Sequence, residues 1–147
     1  MQTFLPLPDF AATAASLDRA RLGKQRVENL QILKAMVIPG YGWAHHPAVK
    51  MWAEWKPAFY AYHRAIIHEW VTVRGYKDTC LEKFERVLFR HFELNPEDAL
   101  DESMPFWVGD GKFHLAHQSN LIRKMPEHYA LLFPGVPDDL EYVWPVN

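Results

Sequence analysis

A basic segment near the N-terminus holds the densest group of side chains that could perform chemistry. Four of its members recur at the i, i+3, i+4 and i+7 spacing: Arg21, Lys24, Gln25 and Glu28. On a helix this spacing places all four on one face. A carboxylate beside two cations stays ionised and can orient a sugar oxygen or act as a base, while the cations can bind phosphate. The same pattern also describes an ordinary surface ion pair between Lys24 and Glu28.

A second candidate lies in the loop that precedes Pro47, where Trp43 is followed by His45 and His46. A histidine at the start of a helix can donate to a phosphate or to a base edge, and a neighbouring tryptophan can stack on a base. Trp43 and His46 are therefore predicted to bind substrate. The alternative is that His46 caps the helix. Adjacent histidines rarely converge on one metal ion, so we expect no metal here.

A third candidate is a polar row on a predicted helix near the C-terminus. Its members are His114, His117, Asn120, Arg123 and Lys124. Polar side chains this dense, on a helix that must also bury Phe113 and Leu121, indicate the wall of a ligand site. The His-x-x-His pair supplies only half of a zinc site, and neither an H-E-x-x-H motif nor a pair of cysteines completes it. We expect no metal and no cofactor.

Positive charge is concentrated although the net charge is only −2. Arg19, Arg21, Lys24 and Arg26 occur between residues 19 and 26 without an acidic residue, whereas no Lys or Arg follows Lys124. A local basic stripe on a near-neutral protein fits a small anionic target better than a long polyanion. Arg26 therefore joins the candidate substrate-binding residues. A solvated helix face is the other interpretation of such a run.

The wider sequence predicts a cytoplasmic protein with no membrane segment. Cys80 is the only cysteine, which excludes an intramolecular disulfide and favours a reducing compartment. The first residues lack the charged and apolar regions of a signal peptide, and no run of about 18 apolar residues occurs. Neither a G-x-S-x-G motif nor a Walker A loop is found. The oligomeric state is not indicated.

The hydrophobic periodicity predicts helices almost throughout. Asp9 and Asp18 are predicted to cap helices that end near Ser16 and Val37, and Pro39-Gly40 stops the second. In that helix, Val27, Leu30, Leu33 and Val37 are expected to face the core, and Gly23 is an unfavourable interior residue. Further helices are predicted over about 47–55, 57–74, 81–94 and 112–124, and from Pro126. We therefore expect an all-α, compact single-domain helical bundle over residues 1–147, with an irregular tail after Pro134.

Three stretches together resemble a known family. They are Leu17-Asp18-x-x-Arg21-Leu22-x-Lys24-Gln25-Arg26-Val27-Glu28, Gly40-Tyr41-Gly42-Trp43-x-x-His46-Pro47-Ala48-Val49-x-Met51-Trp52, and His114-x-x-His117-x-Ser119-Asn120-Leu121-x-Arg123-Lys124-x-Pro126-Glu127-His128-Tyr129. This combination is similar to small bacterial and phage proteins that are grouped with the pyrimidine-dimer DNA glycosylases of the phage endonuclease V type. The resemblance to the small proteins spans nearly the whole chain, whereas that to the characterised glycosylases rests mostly on the N-terminal helix.

The resemblance implies an all-α protein that grips DNA at a lesion, flips a base and cleaves its glycosidic bond. In those enzymes an α-amine exposed by Met removal attacks the sugar, and a helical glutamate orients it. This sequence departs from that pattern in two places. Gln2 is too bulky for Met removal, so the free amine is expected on Met1. The aligned glutamate falls on Gly23, so Glu28 is expected to replace it.

Two classes of function follow. The first is a DNA glycosylase, with or without lyase activity, that uses Glu28 and an amine of Met1 or Lys24. The second is a non-catalytic module that binds nucleic acid or a nucleotide through the same basic helix and Trp/His loop. A Glu28 that is buried in a concave pocket with Lys24 and the helix at 112–124 would favour the enzyme. An exposed Glu28 on a flat basic face would favour the module.

Overall fold

The computed structural model of the protein describes residues 1–91 and 103–146, which form seven α-helices and no strand. The helices are α1 (Phe10–Ser16), α2 (Arg19–Val37), α3 (Pro47–Ala53), α4 (Lys56–His68), α5 (Cys80–His91), α6 (Gly111–Lys124) and α7 (Pro126–Leu132). The predicted all-α class and the irregular tail are confirmed. The predicted end of the fifth helix, before Asn95, lies outside the described residues. That one domain spans residues 1–147 stays a prediction.

Local capping determines where several helices begin. The Asp9 carboxylate accepts a hydrogen bond from the Ala12 backbone N–H at 2.8 Å, and the Asp110 carboxylate accepts one from Lys112 at 3.0 Å. Such bonds satisfy donors that the first helical turn leaves free. One feature was not predicted: α4 does not run on to Gly75 but passes into a π-helical turn at Glu69–Val73.

One hydrophobic cluster takes residues from all seven of these helices. Trp52 of α3 is fully buried within it and stacks against Phe59 and Tyr62 of α4, with ring centroids 5.0 and 5.4 Å apart. Leu30 and Leu33 face the core as predicted. The prediction for Val27 was wrong, because its side chain is 41% exposed. None of the described helices has the length and apolar character that a membrane-spanning helix requires.

The N-terminal segment, residues 2–6, runs extended through the interior, where side chains rather than a neighbouring strand bond its backbone. The Phe4 N–H donates to Gln25 Oε1 at 2.8 Å, and the Phe4 carbonyl accepts from the Tyr62 hydroxyl at 2.5 Å. The Leu5 N–H and carbonyl bond to imidazoles of α6, at 3.1 and 2.9 Å. Buried backbone groups must be paired in this way. The segment therefore ties α2, α4 and α6 together.

The C-terminal tail, residues 133–146, crosses α6 without regular structure. The Ser119 hydroxyl accepts from the Leu140 N–H at 3.0 Å, and the Asn120 amide donates to the Leu140 carbonyl at 3.1 Å. Arg123 donates to the carbonyls of Asp138 and Leu140 at 2.5 and 3.3 Å. The polar side of α6 thus holds the tail in place.

Candidate active site

Glu28 is a buried carboxylate with one oxygen left free. Its side chain lies on the inward side of α2 and only 6% of the residue is exposed. Oε1 is 3.6 Å from Lys24 Nζ, one helical turn away. Oε2 has no hydrogen-bond partner within the described ranges 1–91 and 103–146. A buried, unpaired carboxylate oxygen is costly for folding, so such a group calls for a functional explanation.

A basic cluster surrounds this carboxylate and is formed by α2 and α6 together. Its members are Arg21, Lys24, Arg123 and Lys124. Burial and the positive charges of Arg21, Lys24 and Arg123 lower the pKa of Lys124, while Glu28 acts in the opposite direction. Lys124 therefore lies within electrostatic range of the other three cations and of Glu28. Arg21 is also paired with the Asp18 carboxylate, which lies 3.3 Å from its Nη1. The cations of the cluster can bind phosphate groups.

Arg26 lies on a different side of α2. Its Nη1 is 2.5 Å from Asp78 Oδ1, and its guanidinium stacks over the Trp70 ring at 4.9 Å. Although burial raises the pKa of Asp78, hydrogen bonds from the Leu81 backbone and from Arg26 bring it below the ordinary value. The structure therefore places Arg26 in a contact between α2 and the start of α5, apart from the basic cluster.

Trp70 also explains the glycine at position 23. A Cβ atom built on Gly23 would lie 3.0 Å from Trp70 Cη2 and 3.1 Å from Cζ3. These distances are tighter than ordinary van der Waals contact. Because the indole occupies this space, a glutamate side chain could not extend from position 23 without displacing it. The carboxylate beside Lys24 is that of Glu28.

Gln25 connects α2 to the N-terminal segment. It is fully buried, and its Nε2 donates to the Gln2 carbonyl at 2.9 Å and to Asn29 Oδ1 at 2.7 Å. With Oε1 bound to the Phe4 N–H, both ends of the amide are engaged within the protein. Its role is positional, because it secures the chain just after Met1 to the helical turn that precedes Glu28.

The α-amine of Met1 lies close to His46. Burial lowers the pKa of His46, and the positive charge of that amine lowers it further. The His46 Nδ1 accepts a hydrogen bond from the Ala48 N–H at 3.0 Å, so the imidazole caps α3, which is the alternative considered above. Trp43 next to it is 60% exposed and has a φ of 77°. A bulky residue with positive φ is strained, and such strain is commonly found at functional sites.

His114 and His117 hold the N-terminal segment. His114 pairs through Nδ1 with the Leu5 carbonyl at 2.9 Å, and its Nε2 accepts from the Gly109 N–H at 2.8 Å. His117 accepts from the Leu5 N–H, and burial lowers the pKa of this neutral imidazole to about 3. The two rings therefore act as structural clamps. Within the described part of the chain, no three histidine, cysteine or acidic side chains are grouped as a metal site requires.

Two residues near the candidate site were missed by sequence reasoning. The tail carries Tyr142 and Trp144 into a row of ring contacts: His117–Tyr142 at 5.3 Å, Tyr142–Trp144 at 5.7 Å and Trp144–His46 at 5.8 Å. Trp43 extends the row at 5.7 Å from His46. The tail has no helical periodicity, so only its aromatic content could have marked it. The row begins at exposed Trp43 and ends at buried His117.

A cavity of about 790 Å³ lies elsewhere, between α1, α4, the π-helical turn and the start of α5. Its wall is mainly alanine and aliphatic side chains, with Arg64 and Asp78 among the polar ones. None of the residues predicted from sequence to bind substrate lines it. The volume of this cavity therefore gives no reason to move the candidate site away from Glu28.

Comparison with known proteins agrees with the resemblance noted in the sequence. The model of a family described as pyrimidine dimer DNA glycosylase matches residues 1–83, more than half of the chain. That range includes Met1, Lys24, Glu28, Trp43 and His46 but leaves out α6 and the tail. No curated protein and no solved structure matched the chain. The chain belongs to the pyrimidine dimer DNA glycosylase family.

Proposed function

We propose that this protein excises a damaged or modified pyrimidine base from DNA by cleaving the bond between the base and its deoxyribose. The observation that carries the proposal is Glu28, a buried carboxylate with a free oxygen that lies beside Lys24 and within electrostatic range of Lys124. Membership of the glycosylase family supports DNA as the substrate. Two parts of the arrangement that would favour an enzyme over a binding module are present, since Glu28 is buried and its Oε1 lies 3.6 Å from Lys24 Nζ.

The geometry supports a division of roles. The cations of α2 and α6 bind the phosphates that flank the lesion, without reading sequence. Glu28 then stabilises the positive charge that develops on the sugar as the glycosidic bond breaks, because a fixed negative charge in a water-poor site acts strongly. Trp43, exposed at the edge of the site, stacks on a base. The remaining role, that of the nucleophile, falls to an amine or to water.

Two amines are candidates for direct attack on the sugar. The α-amine of Met1 lies within electrostatic range of His46, and Lys24 Nζ lies 3.6 Å from Glu28 Oε1. α-Amines lose their proton at lower pH than lysine side chains do, so a larger fraction is nucleophilic at neutral pH. We therefore favour Met1. An attacking amine forms a Schiff base, which opens a route to strand cleavage at the abasic site.

Borohydride trapping tests the proposal and the nucleophile together. Duplex oligonucleotides carrying a cyclobutane pyrimidine dimer, an oxidised pyrimidine or an abasic site are incubated with the protein, with an undamaged duplex as control. We expect base excision on at least one lesion and a reduced covalent adduct whose peptide map shows Met1. Excision without an adduct would identify water as the nucleophile. Binding without excision on every substrate would overturn the enzyme in favour of a non-catalytic module.

A further inference from the structure

The cavity between α1, α4, the π-helical turn and the start of α5 is open because small side chains form much of its wall. Ala11, Ala61 and Ala65 contribute only methyl groups there. Ile67 and Leu81 complete the apolar part of the wall. The volume of about 790 Å³ is typical of small-molecule sites, which occupy roughly 300–1,000 Å³. π-Helical turns are frequently found at functional sites. The cavity therefore has the size and the lining of a ligand site.

The acidic residues of the cavity wall are already paired with arginines. The pairs are Glu69 with Arg74 at 3.1 Å, Asp78 with Arg26 at 2.5 Å and Glu82 with Arg86 at 2.7 Å. Each arginine offsets the charge of one carboxylate, so a cationic ligand would have to compete with an arginine in order to bind. The acidic part of the wall therefore does not favour a cation.

Arg64 is the charged residue of the wall that has no ion pair within residues 1–91 and 103–146. Its guanidinium lies over the Tyr60 ring, 4.6 Å from the ring centroid, and its buried Nε has no hydrogen-bond acceptor in those ranges. The charge of Glu85 also acts on Tyr60, but Glu85 forms no ion pair with Arg64. An aromatic ring positions a guanidinium without neutralising it. Arg64 can therefore bind an anionic group, and a guanidinium binds carboxylate or phosphate through two parallel hydrogen bonds.

The apolar wall and the unpaired arginine together define one class of ligand. The wall favours an apolar body, and the arginine favours a single anionic group. We propose that this cavity binds a small organic anion, whose carboxylate or phosphate pairs with Arg64 and whose apolar body packs against Ala61, Ala65 and Leu81. The proposal is independent of base excision, because neither Glu28 nor any member of the basic cluster lines the cavity.

Two matched pairs of probes test the class of ligand. Phenylbutyrate and naphthyl phosphate each carry an anionic group on an apolar body, and phenylbutanol and naphthol are their neutral counterparts. In ¹H–¹⁵N NMR titrations of the full chain, we expect at least one anion to give saturable shifts at the amides of residues 61–72 and 78–82, which surround the cavity. Its neutral counterpart should bind at least about 10-fold more weakly, because it lacks the charged hydrogen bonds to Arg64. No saturable shift with either anion, or shifts confined to the basic cluster, would overturn the proposal.

The variant Arg64→Gln tests the cation directly. It should weaken binding of the anion by at least about 10-fold and leave binding of the neutral counterpart unchanged. Arg64→Lys keeps a positive charge and should bind the anion more tightly than Arg64→Gln does. Arg90→Gln is the matched control, because Arg90 is an exposed arginine of α5 that does not line the cavity, and it should bind both probes as the wild type does. Wild-type affinity of Arg64→Gln for the anion would overturn the role of Arg64.

A second variant tests the cavity itself. Ala61 and Ala65 lie one turn apart on α4, and replacing both with leucine in one protein takes up space that the ligand needs. The anion and its neutral counterpart should then lose affinity by a similar factor of at least about 5-fold, since both lose apolar contact. Ala130→Leu, at an exposed position of α7, is the control. The amide spectrum of each variant shows whether it is folded. A folded double variant that binds the anion as tightly as the wild type would place the ligand outside the cavity and overturn the proposal.

Discussion

Two pairs of residues share one sequence pattern but differ in the burial of their acidic member. Lys24–Glu28 and Glu82–Arg86 are both ion pairs at i,i+4 spacing, with N–O distances of 3.6 and 2.7 Å. Both side chains of the second pair are mostly exposed, whereas the Glu28 side chain is buried. An exposed pair of this type contributes little to stability. The ion pair with Lys24 therefore does not explain why the Glu28 carboxylate is buried, and this supports a catalytic role for Glu28.

The charge of Glu28 is tested by the substitution Glu28→Gln, which keeps the shape of the side chain. We expect turnover to fall by about 10²-fold or more, the usual scale for a positioned acid–base group. Folding and DNA affinity should stay close to wild type, because the cations that bind phosphate are untouched. Single-turnover excision and a binding titration on the same lesion duplex measure the two effects separately.

Glu82→Gln provides the matched control for that experiment. It removes the same charge from the same i,i+4 pattern on an exposed helix surface. Its excision rate should equal that of the wild type, and its stability should change by only a few tenths of a kcal/mol. Equal losses of excision rate in Glu28→Gln and Glu82→Gln would indicate a general effect of net charge. Reduced stability of Glu28→Gln, with unchanged activity per folded molecule, would make Glu28 a structural residue.

Residue types and spacing predicted part of the candidate site but not how each residue is used. Spacing placed Glu28 and Lys24 together, and the structure agrees. Spacing could not show that the side chains of Gln25 and His114 form hydrogen bonds with the N-terminal segment, because that segment is distant from both residues in sequence. Tyr142 was missed for the same reason, since long-range packing alone brings the tail to the site.

At the scale of the element, α2 serves three neighbours with three faces. Gln25 turns inward to the N-terminal segment, Lys24 and Glu28 face α6 and the tail, and Arg26 faces the start of α5. The basic run in the sequence is therefore divided between two uses. We propose that one part of it binds phosphate, whereas Arg26 stabilises the packing of α2 against the start of α5.

This division predicts different effects for one lysine variant and one arginine variant of α2. Lys24→Ala should weaken DNA binding on every sequence and lower the slope of log affinity against log salt by about one unit. Arg26→Ala should leave that slope unchanged and lower the free energy of unfolding by about 2 kcal/mol, since it removes a charged hydrogen bond to Asp78. Salt-dependent binding titrations and urea unfolding of both variants give the two comparisons. A lower slope for Arg26→Ala would return Arg26 to the DNA interface.

Helices could be predicted where local signals act, and less well where tertiary contacts act. Caps and prolines at Asp9, Pro47 and Pro126 marked helix starts that the structure confirms. The π-helical turn after His68 carries no local signal of that kind, so the sequence predicted one continuous helix. Val27 matched the apolar period of α2 but is exposed, since the inward positions are occupied by Gln25, Glu28 and Asn29.

At the scale of the whole molecule, two fully buried histidines occupy positions that apolar side chains usually fill. His117 bonds the N-terminal segment, and His63 accepts from the Asn29 amide at 3.1 Å while its ring stacks on Phe84. Burial lowers the pKa of each to about 3, so both are neutral in the folded protein. In the unfolded chain a histidine titrates near pH 6.5. Unfolding therefore takes up protons throughout the window between these two values.

Acid should accordingly destabilise the protein at a pH where most carboxylates are still ionised. Because the folded pKa lies below the unfolded one, stability is complete above about pH 6.5 and falls as the pH drops towards 3. Each imidazole should lower the free energy of unfolding by about 2 kcal/mol between pH 7 and pH 5. Urea unfolding of wild type, His63→Phe and the exposed control His68→Phe at both pH values measures this. Between pH 7 and pH 5, the free energy of unfolding of His63→Phe should fall by about 2 kcal/mol less than that of the wild type or of His68→Phe. An equal fall in all three proteins would show that His63 is not buried in its neutral form.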